Sequence, residues 1–165
     1  MDELTFRTAT HADLPIIHRL ANEIWWPTYK DYLTRGQISL MLEKIYSVTA
    51  LEEQLSAGQR FSFAMRHDNP VGFIGFQPKP SATHIMRIEK LYILPSEQGK
   101  GTGKRLINHV AQIALAANST YLELNVNRHN PAKIFYERLG FIVVDVMDIP
   151  YHGYILNDYV LQKQL

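Results

Sequence analysis

The stretch of this chain with the clearest chemical potential is Gln98-Gly99-Lys100-Gly101-Thr102-Gly103-Lys104. It lies between an extended segment ending near Leu91-Tyr92-Ile93 and a segment with the apolar stripe of a helix. Backbone N–H groups at a helix entry lack acceptors inside the helix and carry about half a positive charge in sum, so such a loop suits a phosphate or diphosphate. Glycine lets the backbone approach a ligand closely, and Lys100, Lys104 and Arg105 add side-chain charge. Two common phosphate loops do not fit. A P-loop needs glycine five residues before its Gly-Lys pair and Ser or Thr after it, where this chain has Gln98 and Arg105. A dinucleotide fingerprint begun at Gly99 needs glycine where Lys104 stands, and belongs near a first strand–helix turn. The simplest alternative is a solvated loop whose glycines merely start a helix.

Other polar residues have two readings each. Asn125 falls on the strand face opposite Leu122, Leu124 and Val126. Asn130, ahead of Pro131, is equally a helix cap, and Lys133, one turn on, is equally a solvated lysine. Tyr136 shares a helical face with Ala132 and Leu139, which by itself reads as core. Glu89 lies on the same strand face as Arg87 and reads as one member of a strand-edge ion pair or as a proton acceptor. The seven histidines have no compact ligand spacing, so no metal is expected.

These residues need elements to position them. Thr5 to Thr8 predicts a short strand, and Thr10-His11-Ala12-Asp13 resembles a capping box with Asp in place of Glu/Gln. The spacing of Leu14, Ile17, Leu20, Ala21 and Ile24 predicts a helix, with a stop near Trp26 imposed by Pro27. Two weaker helical segments follow, carrying Ile38, Met41, Leu42 and Ile45, then Leu51 and Leu55, with a stop at Gly58. Phe61 to Arg66 and Val71 to Gln77 flank a turn cluster and predict an antiparallel hairpin. A strand over His84 to Leu94 leads through the glycine loop into a helix whose face holds Leu106, Val110, Ile113 and Ala117. Tyr121 to Val126 alternates as a strand, a short helix surrounds Phe135 and Tyr136, and strands over Ile142 to Met147 and Tyr154 to Leu161 close the chain. The helix-containing crossover predicts parallel pairing between the 84–94 and 121–126 strands. The fold class is therefore mixed α/β.

Composition narrows the function classes. A chain of 165 residues is the size of one domain, so 1–165 is expected to form a single domain with one active site or none. Without cysteine, thiol catalysis, thiolate metal sites and CxxC redox chemistry are excluded. Seventeen Lys and Arg against sixteen Asp and Glu give net charge +1, so global electrostatics provide no case for nucleic acid. No apolar run approaches the length that spans a membrane. The acidic opening Met1-Asp2-Glu3-Leu4 lacks the basic and apolar regions of a secretory leader, making the cytoplasm the expected compartment.

With these segments in place, the chain resembles the GNAT superfamily of acyl-CoA-dependent N-acetyltransferases. Gln98 to Gly103 matches that family's Q/R-x-x-G-x-G/A loop, Leu91-Tyr92-Ile93 its preceding strand, and Asn125, Asn130-Pro131-Ala132 and Phe135-Tyr136-Glu137-Arg138-Leu139-Gly140-Phe141 its later pattern. Phe6-Arg7-Thr8-Ala9-Thr10 with Asp13-Leu14 is similar to the family's opening. The resemblance implies a mostly antiparallel twisted sheet of about seven strands, helices on both faces, and a central splayed parallel pair. It implies acetyl-CoA as cosubstrate, its pyrophosphate on the Gln98–Lys104 loop, and contacts from Leu91, Tyr92, Ile93, Asn125, Asn130 and Lys133. It further implies Tyr92 N–H as the donor to the thioester carbonyl and Tyr136 as the acid for the leaving thiolate. The glutamate base of the histone-modifying branch would fall on Arg87, which cannot accept a proton, leaving Glu89 as the candidate.

The aromatics Trp25, Trp26, Tyr29, Tyr32 and Tyr46, with Glu23, Asp31 and Glu43 nearby in sequence, would suit an aliphatic cation. Together with Gly153 to Leu161 they resemble the bacterial spermine/spermidine acetyltransferase branch, which implies a small polyamine-like amine as partner. The rivals are a protein N-terminal acetyltransferase and a silent acyl-CoA-binding regulatory module. A homodimer through C-terminal strand edges is a further family expectation.

Overall fold

The computed structural model describes residues 3–165; Met1 and Asp2, which open the segment weighed above against a secretory leader, lie outside the described residues. Two compact units are present, one of residues 3–76 and 90–109, the other of 77–89 and 110–165. The first holds β1 (Leu4–Thr8), α1 (Leu14–Tyr29), α2 (Arg35–Tyr46), α3 (Val48–Ser56) and β2 (Arg60–Arg66). β3 (Asn69–Lys79), β4 (Ala82–Ile93) and α4 (Thr102–Ala116) each pass from one unit to the other. The second holds β5 (Tyr121–Asn127), α5 (Ala132–Arg138), β6 (Ile142–Tyr151) and β7 (Tyr154–Gln164).

The seven strands form one sheet in the order β1-β2-β3-β4-β5-β7-β6. The expected parallel pair is β4 with β5, in register from Ile85 opposite Tyr121 to Ile88 opposite Leu124. Both strands continue past that register, β4 to Ile93 and β5 to Asn127. β1–β2, β2–β3, β5–β7 and β6–β7 are antiparallel.

Local chemistry explains most boundaries. The Asp13 carboxylate accepts from the Thr10 N–H at 2.8 Å and from Arg7 at 2.9 Å, fixing the entry to α1. The predicted stop at Trp26 is wrong: α1 continues to Tyr29 through Pro27. At position 27 proline removes a single hydrogen bond of the final turn, and the exit is held by Lys30 N–H to Trp26 O and Leu33 N–H to Tyr29 O. The connection predicted between the last two strands also shrinks, to His152-Gly153, both at positive φ. Pro150 then lies within β6, which is tolerated because β6 is an edge strand. Pro70 is accommodated where the β2–β3 register shifts between Ala64 and Met65.

In the first unit the core gathers Leu14, Ile17, Leu20, Ile38, Leu51, Phe61, Phe63 and Phe73, all at most 1% exposed. In the second, Val110, Ala114, Leu122, Leu124, Phe141 and Leu161 are buried, while β6 exposes Ile142, Val144 and Val146.

Gly72 positions β4. A Cβ there would lie 2.7 Å from Ile93 Cγ2 and 2.9 Å from the Tyr92 carbonyl oxygen, so only hydrogen permits this strand spacing. Gly72→Ala is expected to cost about 1–3 kcal/mol, read as a lower urea midpoint. An unchanged midpoint would show that β4 yields freely at Tyr92.

Candidate active site

In the first unit β4 delivers Leu91, Tyr92 and Ile93 half-exposed, and a short 3₁₀ turn over Pro95–Glu97 redirects the chain into the glycine loop. Gln98, Gly99, Lys100 and Gly101 are exposed. Gly99 and Gly101 have φ of +80° and +78°, a region costly to residues with a Cβ, and a Cβ built at either would meet nothing within 4 Å. The space above the loop is open. The Arg105 N–H bonds to the Gly101 carbonyl at 3.1 Å, so the N–H groups of Thr102, Gly103 and Lys104 precede the helical ladder. Lys104 is exposed beside them. These features fit a diphosphate: a positive-φ loop, open backbone donors and adjacent cations.

One residue holding this loop gives no signal in the sequence pattern. Glu97 is 3% exposed, and its carboxylate accepts from Arg66 Nε at 2.9 and 3.1 Å and from the Thr102 hydroxyl at 2.8 Å. Lys100 Nζ lies 3.6 Å from its other oxygen. Burial alone would raise the Glu97 carboxyl, but the Thr102 and Arg66 hydrogen bonds outweigh it and hold it below the usual range. The negative charge is therefore neutralised underneath a loop suited to an anion. Thr102 is fully buried with its hydroxyl committed to Glu97, so it can offer a ligand only its backbone.

Beside the loop, Tyr92 joins an aromatic cluster. Its hydroxyl pairs with that of Tyr29 at 2.8 Å, and its ring centroid is 5.7 Å from Trp25, 6.0 Å from Phe73 and 6.3 Å from Tyr46. The cluster also contains a cation that sequence reasoning missed. Lys90, 6% exposed, donates to Gln59 at 2.6 Å and lies 5.9 Å and 5.5 Å from the rings of Tyr46 and Phe61. Glu23, one of the acids expected near these aromatics, lies 3.9 Å from Arg19 in an i,i+4 pair.

In the second unit Tyr136 is 9% exposed on α5, with Phe135 and Phe141 at centroid distances of 5.2 and 5.8 Å. Burial pushes its hydroxyl well above the ordinary tyrosine range, so it stays protonated at any working pH. That hydroxyl has no hydrogen-bond partner among the described residues. Asn130 caps the entry to α5, its Oδ1 accepting from the Ala132 N–H at 2.9 Å. Lys133 pairs with Glu137 at 3.5 Å and lies 4.9 Å above the Tyr159 ring.

The polar face of β5 holds a connected network. Glu123, 2% exposed, accepts from Arg87 at 2.6 Å, Gln162 at 2.9 Å and Lys79 at 3.1 Å. Burial would raise its carboxyl, but those three donors hold it below the usual range. Arg87 also donates to Asn125 at 2.8 Å and to the exposed Glu89 at 3.2 Å. Asn125 in turn donates to Asp158 at 3.1 Å. Both ends of the Asn125 amide are thus engaged within the protein, and Glu89 stands in the ion pair that was its alternative reading. Strand alternation puts Asp158 on the same face as Val160 and Gln162; the β5–β7 register sets it opposite Asn127, diagonal to Asn125. Among the described residues no group of three or more His, Asp or Glu could hold a metal, and no helix is long and apolar enough to cross a membrane.

Comparison with known proteins agrees with this geometry. The model of the acetyltransferase (GNAT) family matches residues 17–141. The fold is similar to that of PaiA N-acetyltransferase from Thermoplasma acidophilum in complex with coenzyme A (22% identity, 99% of each chain, TM-score 0.82). It is likewise similar to a GCN5-related N-acetyltransferase from Rhodopseudomonas palustris (19% identity, 100% of this chain and 98% of that one, TM-score 0.84). A third likeness is to ribosomal-protein-alanine N-acetyltransferase from Brucella melitensis (22% identity, 98% of this chain and 99% of that one, TM-score 0.70). With its family model covering most of its length, and with the glycine loop and seven-stranded sheet described above, this chain belongs to the acetyltransferase (GNAT) family and is an acyl-CoA-dependent N-acetyltransferase.

Proposed function

We propose that the chain acetylates a primary amine of a small, polyamine-like acceptor, and that residues 1–165 serve this reaction as one catalytic domain. The observation carrying the acceptor class is the charge on the polar face of the second unit. A groove of about 760 Å³ is lined there by Lys79, Arg87, Glu123, Asn125, Asp145 and Met147 among others. Glu123 and Asp145 line it with Lys79 and Arg87, and Glu89 and Asp158 bond to lining residues from outside the lining; counting Arg128 beside Asp158, the face carries four carboxylates against three cations. An acidic excess beside apolar surface suits a cation with a methylene chain. Lys90 in the aromatic cluster of the first unit favours this acidic face over that cluster as the place for a cation.

An alkylammonium has a reference pKa near 10.4, so freeing its nitrogen at neutral pH costs about 4.6 kcal/mol, and a protein group must take that proton. Acetyl-CoA, when bound, supplies an acyl thioester as electrophile. In this reading the backbone of Gly99 to Lys104 holds the diphosphate and Lys100 and Lys104 add charge. The Tyr92 N–H donates to the thioester oxygen, and the Tyr136 hydroxyl donates to the departing sulfur. Leu91 and Ile93 flank Tyr92 within the donor strand, while Asn125, Asn130 and Lys133 support the cofactor side through the network and helix they stabilise. The bond from Arg87 supports an ion-pair role for Glu89 over a proton-accepting one.

Acetyl-CoA thiol release should be measured against spermine, spermidine, simple alkylamines and peptides with free N-termini. Turnover with the polyamines is expected. Transfer to peptides alone would overturn the acceptor class, and thermal stabilisation by coenzyme A without turnover on any amine would favour the silent module.

A further inference from the structure

We propose that Asp158 is the base that accepts the acceptor's proton, and that Arg87 and Asn125 are positioning residues that hold its carboxylate for that task. The inference rests on the amine-acetylating reading and adds the residue it lacks. By the family resemblance, the position of a glutamate base in the histone-modifying branch is taken here by Arg87, a permanent cation. Arg87 donates to Asn125 at 2.8 Å and Asn125 donates to Asp158 at 3.1 Å. The amide therefore points its two hydrogen-bonding ends in fixed directions, and the carboxylate lies two bonds across the strands from the position where the other branch carries it.

The remaining carboxylates of this face are less suited. Glu123 is held by three donors, two of them cationic. Glu89 is exposed and paired with Arg87. Asp145 is exposed and accepts from its neighbour's backbone N–H at 2.8 Å. Asp158 is half-buried, its one direct donor is a neutral amide, and its Oδ1 carries no partner among the described residues. Burial raises the Asp158 carboxyl above the usual aspartate range, against the lowering effects of Asn125, Arg128 and Arg87. The charges that act on it are those of Arg128 and Arg87; on the strands that pair with β7, the further charged groups are Glu123 of β5 and Asp145 and Asp148 of β6. Arg128 is itself paired with Asp148.

The proton balance is simple. The acceptor ammonium gives one proton to the Asp158 carboxylate. The free nitrogen then forms a C–N bond to the thioester carbon and the C–S bond breaks. The Tyr136 hydroxyl protonates the departing thiolate, the second nitrogen proton passes through solvent to restore Tyr136, and Asp158 returns its proton to water.

The test combines kinetics with a titration that needs no acceptor. For Asp158→Asn, kcat/KM for spermidine is expected to fall about 100-fold at pH 7. The loss should shrink as pH approaches the amine's own pKa near 10, a pH dependence that a merely structural role would not produce. Asn125→Ala should give a smaller loss of the same shape. In carboxyl-labelled protein, the ¹³C resonance missing from Asp158→Asn should titrate above the usual aspartate value near 3.9. If Asp158→Asn does not fold, the pH profile of Asn125→Ala decides. A parental pH profile in these variants, or a resonance titrating at or below the usual value, overturns the inference. Absence of turnover on every amine overturns the acceptor reading instead, and the titration still decides Asp158.

Discussion

Tyr136→Phe is expected to lose about 10²–10³-fold in kcat at saturating acetyl-CoA while unfolding at nearly the parental temperature. The substitution removes one oxygen and leaves the ring against Phe135 and Phe141. A buried tyrosine hydroxyl in a core ordinarily finds a partner; that of Tyr136 has none among the described residues, so no native hydrogen bond is broken. Stability should therefore change little or improve slightly. Because burial keeps the phenol protonated, its contribution should not titrate between pH 6 and 9, and the loss should be constant across that range. Steady-state kinetics with thermal unfolding on the same preparation checks this. Parental kcat would remove Tyr136 from the chemistry and leave it as a core aromatic.

The second large effect belongs to Glu97→Gln. Removing one partner of a buried ion pair leaves the other uncompensated, at a typical cost of about 3–5 kcal/mol; retention of the Thr102 contact by the amide argues for the lower end. Since Glu97 bonds both Thr102 and Arg66 beneath the glycine loop, loosening should raise KM for acetyl-CoA about tenfold with a smaller change in kcat. The sign of the pH dependence follows from the lowered carboxyl. A folded-state pKa below the unfolded value means the pair stabilises the protein above the unfolded pKa. That stabilisation is lost as pH falls through the folded one. The gap in denaturant midpoint between parent and variant should thus be full at pH 7 and close in acid. A gap that does not narrow as the solution is acidified, or a KM that does not move, would show that Glu97 has no part in holding the loop.

The elements were legible to different depths for physical reasons. α4 and its glycine entry could be read because helical periodicity and backbone freedom are local properties of consecutive residues. Pro27 misled because its cost depends on distance from the helix end, and that end is set by packing after residue 27. β6 ran longer than expected because Pro150 is forbidden only in a strand with neighbours on both sides, and being an edge is a property of the sheet. Glu97 reads in sequence as one more polar loop residue; its burial depends on Arg66, 31 positions away.

By itself, the order of residues determined the family motifs, the loop whose main chain can meet a diphosphate, and the candidacy of Tyr136, since each depends on short-range spacing and residue type. Only the tertiary structure decided how Glu89, Asn125 and Asp158 are engaged, and that a buried lysine stands among the aromatics. A side chain's electrostatic role is fixed by which distant groups share its low-dielectric surroundings, and strand register, not local sequence, brings those groups within hydrogen-bonding distance.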